Sequence, residues 1–377
     1  MSRMSKNQRG AVSIFVVVFT ALLITIVTVS FARLMLRDLQ RASNNDLSQS
    51  AQDAALAGVE DAKRALAALP EDGELPDLRG CNAIATVLGK AAEDTENSEV
   101  RVGDNALQQA YTCVSVELKT DDYIGTLAAD QVHMVPLKAD GGQFDTVRVE
   151  WFSKEDMSGT GDVDIPGSGP TSDLPAPSGW PQNRPAVLET QLIQTDRTFR
   201  LSQFDDKDDP NDGQSNTNTL FLYPKQRTNE ENHTPTSLRF MNDVRRSSTN
   251  DLSTVRCARS VASELYSCST DIRLPSPIDG DVASRSNAYL RLTARYNASH
   301  YRISMWRGSN LVQFNGVQPE VDSTGRASDL FRRVSARIET ASNVVYPGAA
   351  VDIHGNFCKT FRVTDRLQDY DAGACTP

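Results

Sequence analysis

Between Ala11 and Ala32 the chain runs for 22 residues without a charge, behind a leader that carries Arg3, Lys6 and Arg9 and then Gly10. At 1.5 Å per residue such a helix spans ~33 Å, about the thickness of a bilayer's hydrocarbon core. Valine, isoleucine, leucine and phenylalanine dominate it, and its hydroxyls (Ser13, Thr20, Thr25, Thr28 and Ser30) can bond back to the helix's own carbonyls. A cleaved secretory signal would have an apolar stretch of about 7–15 residues and a small-residue exit, and no such exit follows Ala32. The run is therefore expected to span the membrane. The leader cations place the N-terminus in the cytoplasm, and everything after about residue 33 outside.

The helical pattern does not stop at the membrane. It continues through RLMLRDLQRASNNDLSQSAQDAALAGVEDAKRALAAL to Leu69. Projected at 100° per residue, Leu47, Ala51, Ala55, Gly58, Ala62, Leu66 and Leu69 fall on one face. Asp53, Glu60 and Arg64 fall on the other, the last two spaced as a favourable i, i+4 pair. Alanine and glycine make most of the apolar face, too small for a leucine-type coiled coil but suited to close approach of a sheet. The outer half is thus expected to dock on the chain's own globular part. Ser43-Asn44-Asn45-Asp46 is a weak point, expected to bend or loosen the helix because these residues favour caps over interiors. Pro70 with Glu71-Asp72-Gly73 should end it.

Beyond the helix the chain reads as strands and loops. Alternating runs occur at Tyr111–Leu118, Thr146–Phe152, Val187–Gln194, Thr219–Tyr223, Tyr289–Tyr296, Tyr301–Trp306 and Arg333–Ile338. In Tyr289–Tyr296, Leu290, Leu292 and Tyr296 share one face and Arg291, Thr293 and Arg295 the other, the pattern of a half-buried antiparallel strand. Residues 157–185 hold six prolines and read as a linker or a long exposed loop. The expected fold class is α+β. A long N-terminal helix, part membrane and part amphipathic, packs on an antiparallel β-rich, disulfide-stapled head. The expected divisions are a leader (1–10), the helix (11–69), a first β-rich part of the head (70–156), the Pro/Gly-rich segment (157–185) and a second β-rich part (186–377).

Six cysteines, Cys81, Cys113, Cys257, Cys268, Cys358 and Cys375, all follow the apolar run. An even number on the oxidising side points to disulfides. Of fifteen connectivities, clustering favours Cys81–Cys113, Cys257–Cys268 and Cys358–Cys375. None has the C-x-x-C spacing of a zinc or redox site. The net charge of −10 suits a soluble exposed surface and argues against nucleic acid as the main partner.

The segment SRMSKNQRG followed by AVSIFVVVFTALLITIVTVSFARLMLRDLQ resembles the N-terminal region of type IV pilins and pseudopilins, and most of all the PilX-type minor pilins. The resemblance covers about 60 of 377 residues. It implies cleavage by a prepilin peptidase after Gly10, leaving Ala11 as the new terminus. It also implies packing against other pilin subunits through the helix, storage in the cytoplasmic membrane, and an extracellular filament after assembly. Pilins of the filament body carry glutamate at the fifth mature position, where it neutralises a neighbour's terminal amine. Here that position is Phe15. An unpaired ammonium in an apolar core is costly, so the resemblance points to a minor or tip subunit with a role in assembly and in adhesion or motility. A surface or host-cell ligand would then be the head's partner. The alternative is a signal-anchored surface binding protein that never polymerises. By the same resemblance Cys358 and Cys375 bound a C-terminal loop open to subunit or surface contacts.

No catalytic set assembles: the four histidines are scattered, and neither a phosphate-binding loop nor a G-x-S-x-G elbow occurs. No enzymatic role and no cofactor are expected. Asp206, Asp208 and Asp212 form a weak calcium candidate, since Pro210 breaks the usual ligand spacing and a solvated acidic loop explains them better. Residues 284–338 hold nine arginines against three acids. Arg291 and Arg295 share a strand face, and Arg302 with Trp306 is expected beside them across a hairpin. That set is the candidate surface for an anionic ligand, against the plainer reading that its arginines pair with the chain's own carboxylates.

Overall fold

The computed structural model describes residues 9–69, 76–89, 95–96, 99–102, 108–159, 161–167, 174–194, 219–227, 235–239, 252–261, 265–279 and 288–340. The first element is a single helix, α1 (Arg9–Ala67), which runs through 43–46 without interruption. The expected bend there is corrected: Ser43, Asn44 and Asn45 stand exposed to solvent, where their helix propensity costs only tenths of a kcal/mol each and the turns on both sides hold the path. Thr20, Thr25, Thr28 and Ser30 donate to carbonyls three or four residues back, at 2.8–2.9 Å for the closest in each case. α1 ends on backbone bonds from Ala68 to Arg64 and from Leu69 to Leu66; Pro70 itself lies outside the described residues.

The outer half of α1 lies on a five-stranded antiparallel sheet. Its strands are β1 (Thr95–Glu96), β2 (Glu99–Arg101), β3 (Ala110–Thr120), β15 (Phe314–Ala327) and β16 (Leu330–Arg337), in the order β1-β2-β3-β15-β16. A short helix, α2 (Ala83–Val87), completes this layer, tied to β3 by the Cys81–Cys113 disulfide. Between helix and sheet, Val59, Ala62, Ala65, Leu66, Ile84, Tyr111, Val114, Val116 and Val321 form one core.

The larger sheet has eleven strands. They are β4 (Tyr123–Leu127), β5 (Val132–Pro136), β6 (Gln143–Ser153), β7 (Val187–Gln194), β8 (Thr219–Gln226), β9 (Thr236–Arg239), β10 (Ser253–Cys257), β11 (Tyr266–Asp279), β12 (Ala288–Arg295), β13 (Ser299–Arg307) and β14 (Asn310–Val312). The main path is β14-β13-β6-β11-β10-β8-β7-β12-β5, with β4 on β13 and β9 on β11. Because β4 pairs with β13 near one end of this path and β5 forms the other end, the turn between them ties the two ends together. The sheet curls around a second core that includes Phe144, Val147, Val149, Trp151, Leu188, Leu222, Leu290, Leu292, Tyr301, Ile303 and Met305.

All seven alternating runs lie on strands, with Tyr296 and Ile338 each falling one residue beyond the strand end. The purely antiparallel head is corrected, because β10 runs parallel to β8 and β9 parallel to β11. Strands from both sides of residues 157–185 share each sheet: β3 pairs with β15, and β6 with β11 and β13. The 157–185 stretch itself packs Val163 and Ile165 into the larger core and Trp180 against Val187 and Tyr223. β15 belongs to both layers. Phe314 is buried in the larger core, Gly316 takes a positive φ of 67°, and the register shifts between Asn315 and Glu320 around Pro319 before Val321 joins the core under α1. A bulge of this kind bends a strand from one layer to the next.

Candidate functional site

The first candidate is α1 itself, one helix divided between two environments. From Ile14 it is long and apolar enough to cross a membrane, and none of its apolar window is covered by the rest of the chain. Phe15, Phe19, Leu23, Ile26 and Phe31 are all exposed. With a basic leader before it and a folded head after it, this half has the length and composition of an N-terminal membrane anchor.

The change comes at Leu47, after which one face of the helix is covered. Ala51, Ala55, Gly58, Ala62 and Leu66 are all buried, against strands β3, β15 and β16. Asp53, Glu60 and Arg64 remain exposed, as the projection places them. Small residues are required on both partners. A Cβ on Gly58 would overlap Ser323 and stand 2.7 Å from Val114 Cγ2, and one on Gly325 would overlap backbone atoms of Ala51 and Ala55. The helix backbone therefore rests directly on the β15 backbone at Gly325. The sequence reading missed this partner; the signal was a glycine inside an otherwise alternating strand. It also missed Asp61, buried in the seam, whose Oδ2 accepts a 2.7 Å hydrogen bond from the Tyr111 hydroxyl. Burial and this carboxylate raise the Tyr111 pKa well above its ordinary value.

The arginine candidates are arranged differently from the expectation. β12 and β13 follow each other in sequence but do not pair: β12 lies between β7 and β5, whereas β13 lies between β6 and β4. The expected hairpin is thus corrected, and Arg302 is not beside Arg291 and Arg295. Arg291 and Arg295 share Glu189, at 3.4 and 2.8 Å, and Arg295 also reaches Asp130. Arg291, Thr293 and Glu189 are buried, so β12 is covered on both faces rather than half-buried. Arg302 pairs with Glu150 at 2.7 Å and lies over the Tyr266 ring. Trp306 Nε1 donates to Ser304, and its ring carries Arg148, which pairs with Asp271. Each charge on this surface that was offered to a ligand has a carboxylate partner from the chain itself.

An open polar cleft of about 570 Å³ lies near the junction of the layers, lined in part by Glu117, Lys119, Asp122, Glu320 and Arg337. Lys119 pairs with Asp140, and Arg337 with both Asp122 and Glu320, so the cleft's charges largely neutralise one another. The same junction holds a cluster that spacing alone could not bring together. His133 on β5 meets the Tyr301 hydroxyl at Nδ1 and the Tyr123 hydroxyl at Nε2, and Tyr123 donates onward to Glu339 at 2.7 Å. Burial lowers the His133 pKa from its ordinary value, with the Glu339 charge opposing the shift, and burial raises both tyrosines strongly.

The Cys81–Cys113 and Cys257–Cys268 bonds are present, the second joining directly opposed residues of β10 and β11. Cys358, Cys375, Asp206, Asp208 and Asp212 lie outside the described residues. Gly10 and Ala11 fall within the span of α1. No protein-family model, no curated protein and no solved structure matches the chain.

Proposed function

We propose that this chain is a minor or tip subunit of a type IV pilus-like filament, held in the cytoplasmic membrane by α1 before assembly. The observation that carries the reading is the division of α1, apolar and uncovered from Ile14 to Phe31 and docked through a small-residue seam from Ala51 to Leu66. A subunit of such a filament needs both halves. The free half passes from lipid to the apolar centre of the filament, and the docked half fixes the head to it. The basic leader ending at Gly10 supplies a processing site for a prepilin peptidase. The head, with its surface turned outward, contributes to assembly and to adhesion or motility.

The test is the mass of the mature N-terminus. A chain beginning at Ala11, with Gly10 substitution blocking both cleavage and incorporation into filaments, is the expected result. An intact Met1, or sheared filaments that never contain the protein, would overturn it. Phe15 favours a second reading, a signal-anchored surface binding protein that does not polymerise, because no carboxylate stands at that position to neutralise a neighbour's amine. The same mass measurement separates the two.

A further inference from the structure

Arg33, Arg37 and Arg41 follow the apolar run at four-residue spacing, so they form one stripe on α1. All three are exposed, and none makes an ion pair among the described residues. Every residue from Ile14 to Asp46 is exposed, and among the described residues cover from the head begins at Leu47. Leu34, Met35, Leu36 and Leu39 stand beside the arginines, each more than half exposed. Uncovered leucines next to unpaired arginines are ill suited to water, yet they fit the boundary between acyl chains and headgroups.

Position supports the same environment. Taking Ala32 as the last apolar residue, Arg33, Arg37 and Arg41 stand roughly 1.5, 7.5 and 13.5 Å further along the axis. A headgroup layer is about 5–8 Å deep on each side of the hydrocarbon. Helical side chains tilt toward the N-terminus, here back toward the membrane, so even Arg41 can lower its guanidinium to that layer. The stripe also lies on the head side of the helix. Eighteen residues are about five full turns, which puts Arg33 in line with Ala51, Arg37 with Ala55 and Arg41 with Val59, all buried against the sheet. The overhanging head belongs to a chain of net charge −10, which an anionic membrane repels.

We infer that Arg33, Arg37 and Arg41 form a collar that binds anionic phospholipid headgroups at the face of the membrane where the head emerges. The collar holds an acidic head close to a like-charged surface. It requires only the membrane anchor, and it stands whether or not the chain polymerises.

The test uses full-length protein extracted from vesicles containing phosphatidylglycerol and phosphatidylcholine, with the retained lipids identified by native mass spectrometry. Wild-type protein is expected to retain phosphatidylglycerol preferentially. The preference should fall about fivefold for each arginine replaced in R33Q, R37Q and R41Q, and it should weaken with salt. Circular dichroism and intact disulfides would establish that the variants remain folded; the exposed positions make this the expected outcome. Equal retention of both lipids by wild-type protein would overturn the inference. So would a preference that survives the triple variant, or one lost only when Arg3, Lys6 and Arg9 are replaced. If the triple variant keeps its lipid ratio but loses cross-linking to a second copy, the stripe serves subunit packing and the lipid collar is refuted.

Discussion

Gly325 has no room for a side chain, because the atoms it would strike are backbone atoms of α1 and cannot rotate away. Gly325→Ala is therefore expected to lower stability by about 2 kcal/mol or more, read as a fall in the denaturation midpoint. Gly58→Ala presses on Ser323 and Val114 side chains, which have some freedom to move, and should cost less. Glu189 poses the opposite problem. It is buried between Arg291 and Arg295, and Glu189→Ala would remove the carboxylate that both guanidinium groups share. Removing one member of a buried ion group costs about 3–5 kcal/mol, so Glu189→Ala should be among the more damaging substitutions in the head. A Glu189→Ala chain with an unchanged denaturation midpoint would show that the group is not buried in solution. Of these residues only Gly58 was legible beforehand, because helical periodicity places a residue on a face without knowledge of its partner. Gly325 and Glu189 owe their importance to chain segments more than a hundred residues away.

Helix α1 shows how far a local pattern reaches. Its small-residue face and its charged face follow from a 3.6-residue period, whereas the bend or loosening expected at 43–46 did not occur because low propensity in a few exposed residues does not outweigh a long helix. Replacing Asn44 and Asn45 with alanine should raise the helicity of the stalk slightly and leave the head's melting unchanged, as monitored by circular dichroism. At the junction of β4, β5 and β13 the consequences are larger. Burial holds His133 neutral in the folded chain to a lower pH than in the unfolded chain, whose histidine takes up a proton near pH 6.5. Below that pH the unfolded state binds more protons, so stability should fall as acid is added and recover above pH ~6.5. His133→Gln should flatten this part of the profile in denaturation measured from pH 7 to 5. The cluster escaped the sequence reading because its four members come from four separated stretches, at residues 123, 133, 301 and 339.

Among the described residues, the two larger cores are joined by β15 and by contacts at the layer junction, and α1 packs on the smaller of the two. Reduction of Cys81–Cys113 opens a link across 32 residues in the helix-bearing layer and should lower its stability by about 3 kcal/mol, seen as earlier loss of protease resistance under reducing conditions. The larger core should respond less, since Cys257–Cys268 closes only 11 residues and lies fully buried between paired strands. What the sequence by itself determined is the apolar half of α1, the seam that follows it, seven of the sixteen described strands and two of the cysteine pairs. All are set by composition or by periods of two to four residues, or by neighbours close along the chain. The order of strands, the two parallel pairs, the partners of the arginines and the His133 cluster were decided only by tertiary structure. Each depends on which distant segment meets which, and that is fixed when both cores bury their apolar faces at once, a condition no short stretch of the chain can express.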